Sequence, residues 1–429
     1  MSKTFTGFGF GPIQSALFLY EAYRSGNFAS YVAVDIDREL VEAVRNNAGS
    51  YSINIAREHC IERFTVEGIE IYNPNILNDY SRIVDSVAES DELCTALPSV
   101  DIYAAGKNSV TGMIAEGLGK RASPVPTIIY SAENNNRAAE ILAERLSEQS
   151  RDWPVERLQL LNTVIGKMSG VITDPETIER LSLATITPAI PRAVLVEEFN
   201  SILISRVKLS GFRRGIDVFV EKDNLLPFEE AKLFGHNALH ALIAYLADLK
   251  GLMTMAEAGK DGQIMQIARE AFIRESGAAL IKRHAELHDP LFTARGFEEY
   301  AEDLLRRMVN PNLNDRVARV GRDHPRKLGI EDRLYGTMAL ALEYGVRPDN
   351  LALGAAAGLI SMIRRQGSLK ASLASLPQKP EQISADSLTR ILRSIWGKNK
   401  QAVKYGERLI ALTCKALTEL QDRGIWIKP

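Results

Sequence analysis

The chain has 429 residues, 45% apolar and 25% charged, proportions that exclude a small stapled fold or a disordered chain and suit two or three domains of roughly 100–200 residues each. Its 52 lysines and arginines against 54 aspartates and glutamates give a net charge of −2, which excludes a global basic field for nucleic acid or an anionic membrane. Any anion site must therefore be local. Cys60, Cys94 and Cys414 are odd in number and far apart, which fits reduced thiols rather than a disulfide framework or a zinc cluster. Glycine is reached at Gly7 before an apolar leader could form, and no stretch has the ~18 consecutive apolar residues of a membrane span. A cytoplasmic, unprocessed protein with no membrane or nucleic-acid partner is expected.

In chain order, a short strand over residues 4–6 leads into Gly7-Phe8-Gly9-Phe10-Gly11-Pro12 and an apolar helical run, 13–24. Further strands are expected at 31–35, 100–106 and 126–132, separated by helical patterns such as 38–46. That alternation indicates βαβ units and a mostly parallel sheet. The proline-containing stretch 185–192 breaks any regular element and sets a domain boundary after residue 195. From about residue 228 the period becomes helical, over 228–250, 263–284, 297–308, 332–343, 350–364 and 385–423. The segment 367–387, rich in Ser, Pro, Gln and Lys, reads as a surface loop. The fold expected is an α/β Rossmann-like N-terminal domain, 1–195, followed by a largely α-helical C-terminal domain, 196–429.

Gly7, Gly9 and Gly11 stand where glycines let the backbone approach a pyrophosphate lying on a helix N-terminus. Pro12 occupies the place of the usual third glycine, and a proline in a helix's first turn is tolerated. Asp35 ends the second strand, where a carboxylate accepts from ribose hydroxyls and repels a 2′-phosphate, so NAD is favoured over NADP. Arg38 nearby keeps NADP open. Gly106 closes the next expected strand, where a flat nicotinamide dinucleotide could pass.

The run 227–246 places Lys232, Asn237 and His240 inside an otherwise apolar helix. At about 100° per residue they fall at about 0°, about 140° and about 80°, on one side of it. The pattern K-x-x-x-x-N-x-x-H formed by these three resembles the signature of the polyol-specific long-chain dehydrogenases. Ile129-Tyr130-Ser131-Ala132-Glu133-Asn134 looks like that family's strand ending in an acidic residue and Asn. The segments 275–283, 310–317 and 319–328 resemble its mannitol-1-phosphate 5-dehydrogenase branch. Residues 162–169 lack the aspartate-arginine motif the family would place there.

Oxidising a secondary alcohol without a metal needs a base for the hydroxyl proton and donors for the developing alkoxide. The resemblance implies Lys232 as base, Asn134 and Asn237 holding the oxygen, His240 fixing the substrate's pose, and Glu133 beside the cofactor. Lys232 must then have its reference pKa, near ~10.4, lowered by burial or positive neighbours. Arg319, Arg322, Arg326, Lys327 and Arg333 crowd one short segment. A charge run alone is usually a solvated loop, but a sugar phosphate needs such cations, and the resemblance selects Arg322, Arg326 and Lys327; Arg213-Arg214 is a second candidate patch. His284 and His288 are spaced i, i+4, but Glu286 sits one place too late for a zinc-protease motif, so no metal site is expected. The expected activity is metal-independent hydride transfer between NAD(H) and a polyol phosphate/ketose phosphate pair, mannitol 1-phosphate/fructose 6-phosphate first. The alternatives are a mannitol 2-dehydrogenase, a hexuronate (tagaturonate or fructuronate) reductase, or a catalytically silent NAD-binding regulator.

Overall fold

A computed structural model describes residues 3–121, 126–149, 157–365 and 383–426. The chain divides into two compact units, Met1–Leu226 and Pro227–Pro429.

Among its described residues the first unit holds twelve strands: β1 Lys3–Phe8, β2 Phe28–Val34, β3 Tyr51–Ala56, β4 Ile61–Val66, β5 Glu70–Tyr72, β6 Glu92–Thr95, β7 Thr127–Ser131, β8 Leu158–Val164, β9 Ser169–Ile172, β10 Ala193–Glu197, β11 Leu203–Ser205 and β12 Val220–Lys222. Eight of them form one sheet in the order β12-β11-β8-β7-β6-β1-β2-β5. All its neighbours are parallel except β8 and β11. From β5 across to β8 this is the Rossmann order three-two-one-four-five-six, whose switch point lies between β1 and β6. Alternation along the strands sends Phe5, Ala33 and Cys94 to one face and Phe8, Val34 and Leu93 to the other, as a period of two demands. The first face is covered by the helical run 14–25 and by Arg38–Asn46, the second by Leu77–Glu89, Val110–Gly119 and Ala138–Gln149. Two covered faces explain why successive residues are buried, as in Phe5–Phe8 and Glu92–Thr95, rather than alternately buried and exposed.

Four departures from the sequence reading have physical reasons. The stretch 100–106 is no strand: Ser99 caps a 3₁₀ turn, Val100–Ile102, and the sheet takes the wholly buried Glu92–Thr95 instead. A second, mixed sheet, β4-β3-β10-β9, is built from an insertion after helix Arg38–Asn46 and from the chain that follows β8. The units divide later than residue 195, because β10 pairs with β3, and β11 with β8, inside the first unit. The helix expected over 385–423 is two helices, Ala385–Trp396 and Lys400–Asp422, broken at Gly397 with its φ of 58° and restarted by the Asn399 cap. Most of the expected loop 367–387, up to residue 382, lies outside the described residues.

The second unit is helical. Its centre is Ala238–Leu249, buried along nearly its whole length and packed against Gly262–Glu270, Val317–Gly321 and Asp349–Arg364. The last of these approaches closely: a Cβ at Gly358 would stand 2.9 Å from the Tyr245 ring. Two π-helical segments, Ala231–Asn237 and Ala271–Gly277, interrupt the helices beside it. No helix among the described residues is long and apolar enough to cross a membrane.

Candidate active site

The nucleotide-binding end sits at the carboxyl end of β1, at the switch point. Gly7 is still within the strand. Gly9 has φ 87° and donates its N–H to Val34 O at 2.8 Å; a Cβ there would stand 2.6 Å from the Ala96 carbonyl oxygen, so only glycine fits. Gly11 is exposed, and a Cβ on it would meet nothing within 4 Å, which leaves backbone open to a ligand. Pro12 enters the first helical turn, where its missing N–H costs nothing. Asp35 Oδ2 accepts from Phe10 N–H, inside the glycine turn, at 2.7 Å, and Oδ1 accepts from Asp37 N–H at 2.8 Å. Burial raises the Asp35 pKa and those backbone donors oppose the rise. Arg38 is drawn aside to Glu42 at 2.7 Å, and Asp37 to Arg192 at 2.9 Å. An open glycine turn at the switch point with an acid closing β2 fits a dinucleotide.

The other residues expected at this end are placed differently from one another. Gly106 (φ 78°) lies in an exposed turn beyond the 3₁₀ segment, not at a strand end. Glu133 is buried, and both its oxygens are engaged: Oε1 accepts from Leu97 N–H at 2.9 Å, Oε2 from Thr95 Oγ1 at 3.1 Å and from the Tyr103 hydroxyl. Burial raises its pKa against these donors. It fastens the exit of β6 rather than reaching outward. Asn134, the next residue, is exposed.

In the second unit, Lys232 and Asn237 stand in the π segment Ala231–Asn237 and His240 in the following α-helix. The expected angles assumed a uniform α step, and the π turn's i→i+5 bonding changes that step between Lys232 and Asn237. Ser276 and Thr337 hydroxyls donate to the Phe234 carbonyl at 2.8 and 3.2 Å, tying this turn to two neighbouring helices. Lys232 is half-buried. Burial brings its pKa down to about 8, Glu229 opposes the fall, and Arg333 adds to it. His236 is buried with its ring 6.1 Å from His240, and burial holds its pKa well below the usual value.

Asn237 and His240 share the lining of a cavity of about 410 Å³ with Arg319, Arg322, Arg326, Lys327 and Arg333. The cluster selected from the sequence therefore faces two members of the expected constellation. Lys327 is 7% exposed and donates to the Val320 carbonyl; burial, then Arg333 and Arg326, lowers its pKa to about 8. Arg326 is paired with Asp323 and, at 3.4 Å, with Asp332. Arg322 is exposed.

Sequence reasoning missed Asp315. Its carboxylate grips Arg319 with both oxygens at 2.7 Å, and its Oδ2 lies 3.3 Å from His240 Nε2. Burial would raise its pKa, but His240 and Arg319 together bring it down to about 2. The Asp-x-x-x-Arg spacing of 315 and 319, with Asp315 just before the helix Val317–Gly321 that carries Arg319, was the available signal. Arg213 and Arg214 belong to the first unit, where Arg214 bonds Glu221, Ile216 O and Phe219 O. His284 bonds Glu230 at 2.8 Å and packs on Phe292. Among the described residues no group of three His, Cys, Asp or Glu side chains is placed to hold a metal ion.

Residues 224–367 match the family model described as the mannitol dehydrogenase C-terminal domain. A mannitol-1-phosphate 5-dehydrogenase of Caldanaerobacter subterraneus subsp. tengcongensis is 30% identical over 358 residues, covering 82% of this chain and 85% of that one. The chain belongs to the mannitol dehydrogenase family. Solved structures of similar fold include the Pseudomonas fluorescens mannitol 2-dehydrogenase in ternary complex with NAD and D-mannitol, with TM-score 0.69, 16% identity and 99% and 93% of the two chains covered. A D-sorbitol dehydrogenase in substrate-free form matches with TM-score 0.73, 13% identity, and 99% and 94% covered. At those identities the two structures speak for the fold, the Rossmann-like and helical pair of units expected from the sequence pattern.

Proposed function

We propose that the chain is an NAD-dependent oxidoreductase of this family acting between a polyol phosphate and its ketose phosphate, with mannitol 1-phosphate/fructose 6-phosphate as the pair. The observation that carries the substrate class is the cation-rich cavity lined jointly by Asn237 and His240: a neutral polyol has no use for that charge, whereas a phosphate monoester has. Asp35 closing β2, with Arg38 held by Glu42, supports NAD over NADP. Gly7, Gly9, Gly11 and Gly106 are proposed to line the cofactor, with Glu133 stabilising the loop that carries Asn134. The protein is taken to work in the cytoplasm on a small molecule.

When bound, NAD supplies the hydride acceptor for oxidation and the donor for reduction. The chain's own groups supply the rest. Lys232 Nζ, neutral in part because burial lowers its pKa to about 8, takes the hydroxyl proton during oxidation and returns it during reduction. The amide N–H₂ group of Asn237 holds the developing alkoxide. His240 holds a neighbouring hydroxyl, and Arg322, Arg326 and Lys327 hold the phosphate. None of these roles calls for a metal, so EDTA should leave turnover unchanged.

A hexuronate, whose carboxylate is also an anion, is the competing substrate. Lys232→Ala tests the enzymatic reading: turnover should fall to background while NADH binding, followed by fluorescence, persists. A silent regulator would show no turnover to lose.

A further inference from the structure

The five cations around the cavity are not equivalent, because their charges are already met to different degrees. Arg319 spends its guanidinium on Asp315, with two contacts of 2.7 Å. Arg326 is held by Asp323 and Asp332. Arg333 is only 9% exposed. Its nearest carboxylate, Asp332 Oδ1 at 3.1 Å, belongs to a residue that also serves Arg326, and its Nε is buried without an aligned hydrogen bond. Among the described residues Lys327 pairs with no carboxylate and donates only to a carbonyl. Five cations thus face three carboxylates, Asp315, Asp323 and Asp332, which leaves two positive charges unmatched. One of the two, on Lys327, is buried, and the other is spread between the exposed Arg322 and the buried Arg333, whose carboxylate is shared; a buried charge without a full partner is costly, so the cavity suits a ligand that brings two negative charges.

From this we infer that Arg333, together with Lys327, is the buried anchor of a dianionic phosphate group that Arg322 and Arg326 meet from the exposed side, while Arg319 serves mainly to hold the cavity's wall. The inference rests on the phosphate reading above and deepens it. A phosphate monoester carries about −1.5 to −2 charges near neutrality and matches the two-charge excess; a hexuronate carboxylate carries one and leaves a cation unmet. Arg333 presents a buried planar donor fork suited to phosphate oxygens, and Arg322, which also lines the cavity, is exposed. Because Arg333 also lies close enough to Lys232 to influence its charge, the anchor would set the substrate's distance from the reacting group.

The test uses the NADH-loaded protein, wild type and Arg333→Met, with fructose 6-phosphate and fructose as substrates and inorganic phosphate or acetate at matched ionic strength as inhibitors. Arg333→Met should raise KM for fructose 6-phosphate roughly tenfold or more, as loss of a charged hydrogen bond implies, and should narrow the preference over fructose by the same factor. Inorganic phosphate should compete with fructose 6-phosphate in the wild type and lose potency in the variant, and acetate should compete in neither. If the methionine variant does not fold, Arg333→Lys, which keeps one charge but not the fork, should show a smaller rise in KM in the same direction. An unchanged KM in a folded variant, or equal inhibition of the wild type by phosphate and acetate, overturns the anchor. Absence of any wild-type turnover of fructose 6-phosphate overturns instead the functional reading beneath it.

Discussion

The Asp315 carboxylate stands 3.3 Å from His240 Nε2 while its two oxygens clasp Arg319. One buried anion thus links the histidine expected to hold substrate to a cation of the cavity that both line. With Nε2 turned toward Asp315 and buried, the ring's other nitrogen is the one left for the cavity that His240 lines. Asp315→Asn keeps the shape and removes the charge. Its expected effect is a fall in kcat/KM of about 10²-fold, the scale on which a small misplacement of a substrate-holding group acts, with the far-ultraviolet circular dichroism unchanged. Since His240 and Arg319 hold the Asp315 pKa to about 2, this pairing contributes stability that is present above the usual aspartate range and lost only as pH falls through about 2.

Burial lowers the Lys232 pKa to about 8, and the sign of the pH dependence follows. In the oxidative direction the neutral amine is needed, so kcat/KM should rise with pH and level off above about 8. In the reductive direction the ammonium is needed, and the rate should fall through the same range. Initial rates in both directions, across a pH series at fixed ionic strength, check the opposed slopes. The depressed pKa also costs stability at neutral pH, a cost relieved as pH rises from about 8 toward the value of a free lysine. Lys232→Met should therefore abolish turnover with Tm unchanged or raised at pH 7.

Asp35 faces the glycine turn and, in the proposed complex, the ribose. Asp35→Ser should weaken NADH binding roughly tenfold, through a lost charge-assisted bond, and should weaken NADPH binding less or strengthen it. Fluorescence titration of both nucleotides measures the two changes together.

Gly9 combines a φ of 87° with a 2.6 Å approach of any added Cβ to the Ala96 carbonyl oxygen. Gly9→Ala should destabilise the first unit by roughly 1–3 kcal/mol and loosen nucleotide binding. Thermal melts with and without NADH should show a lower Tm and a smaller rise on adding the nucleotide.

Where local signals agreed, the sequence was legible. The helix expected over 38–46 is the helix found, because Asp37 caps it through Leu40 N–H and its buried residues Leu40, Val41, Ala43 and Val44 share a stripe. The glycine turn does close on Asp35, and the 319–333 cations do line one cavity with Asn237 and His240. Elsewhere tertiary context decided. β6 has only four residues, opens on Glu92, and is a strand because β1 and β7 flank it; the more apolar 100–106 loses that place to the Ser99 cap. The π turn under Lys232 depends on Ser276 and Thr337, each far along the chain, donating to Phe234 O, and no local pattern announces it. The role of Asp315 emerges only when the chain brings it to His240.

The measurement that tests the central claim most directly is NADH and NADPH oxidation against fructose 6-phosphate, fructose, tagaturonate and fructuronate, with and without EDTA. The account predicts rapid NADH turnover on fructose 6-phosphate, little on the other three, a weaker rate with NADPH, and no effect of EDTA. Turnover confined to fructose or a hexuronate would contradict the phosphate cavity, and loss of activity in EDTA would contradict the lysine-based mechanism.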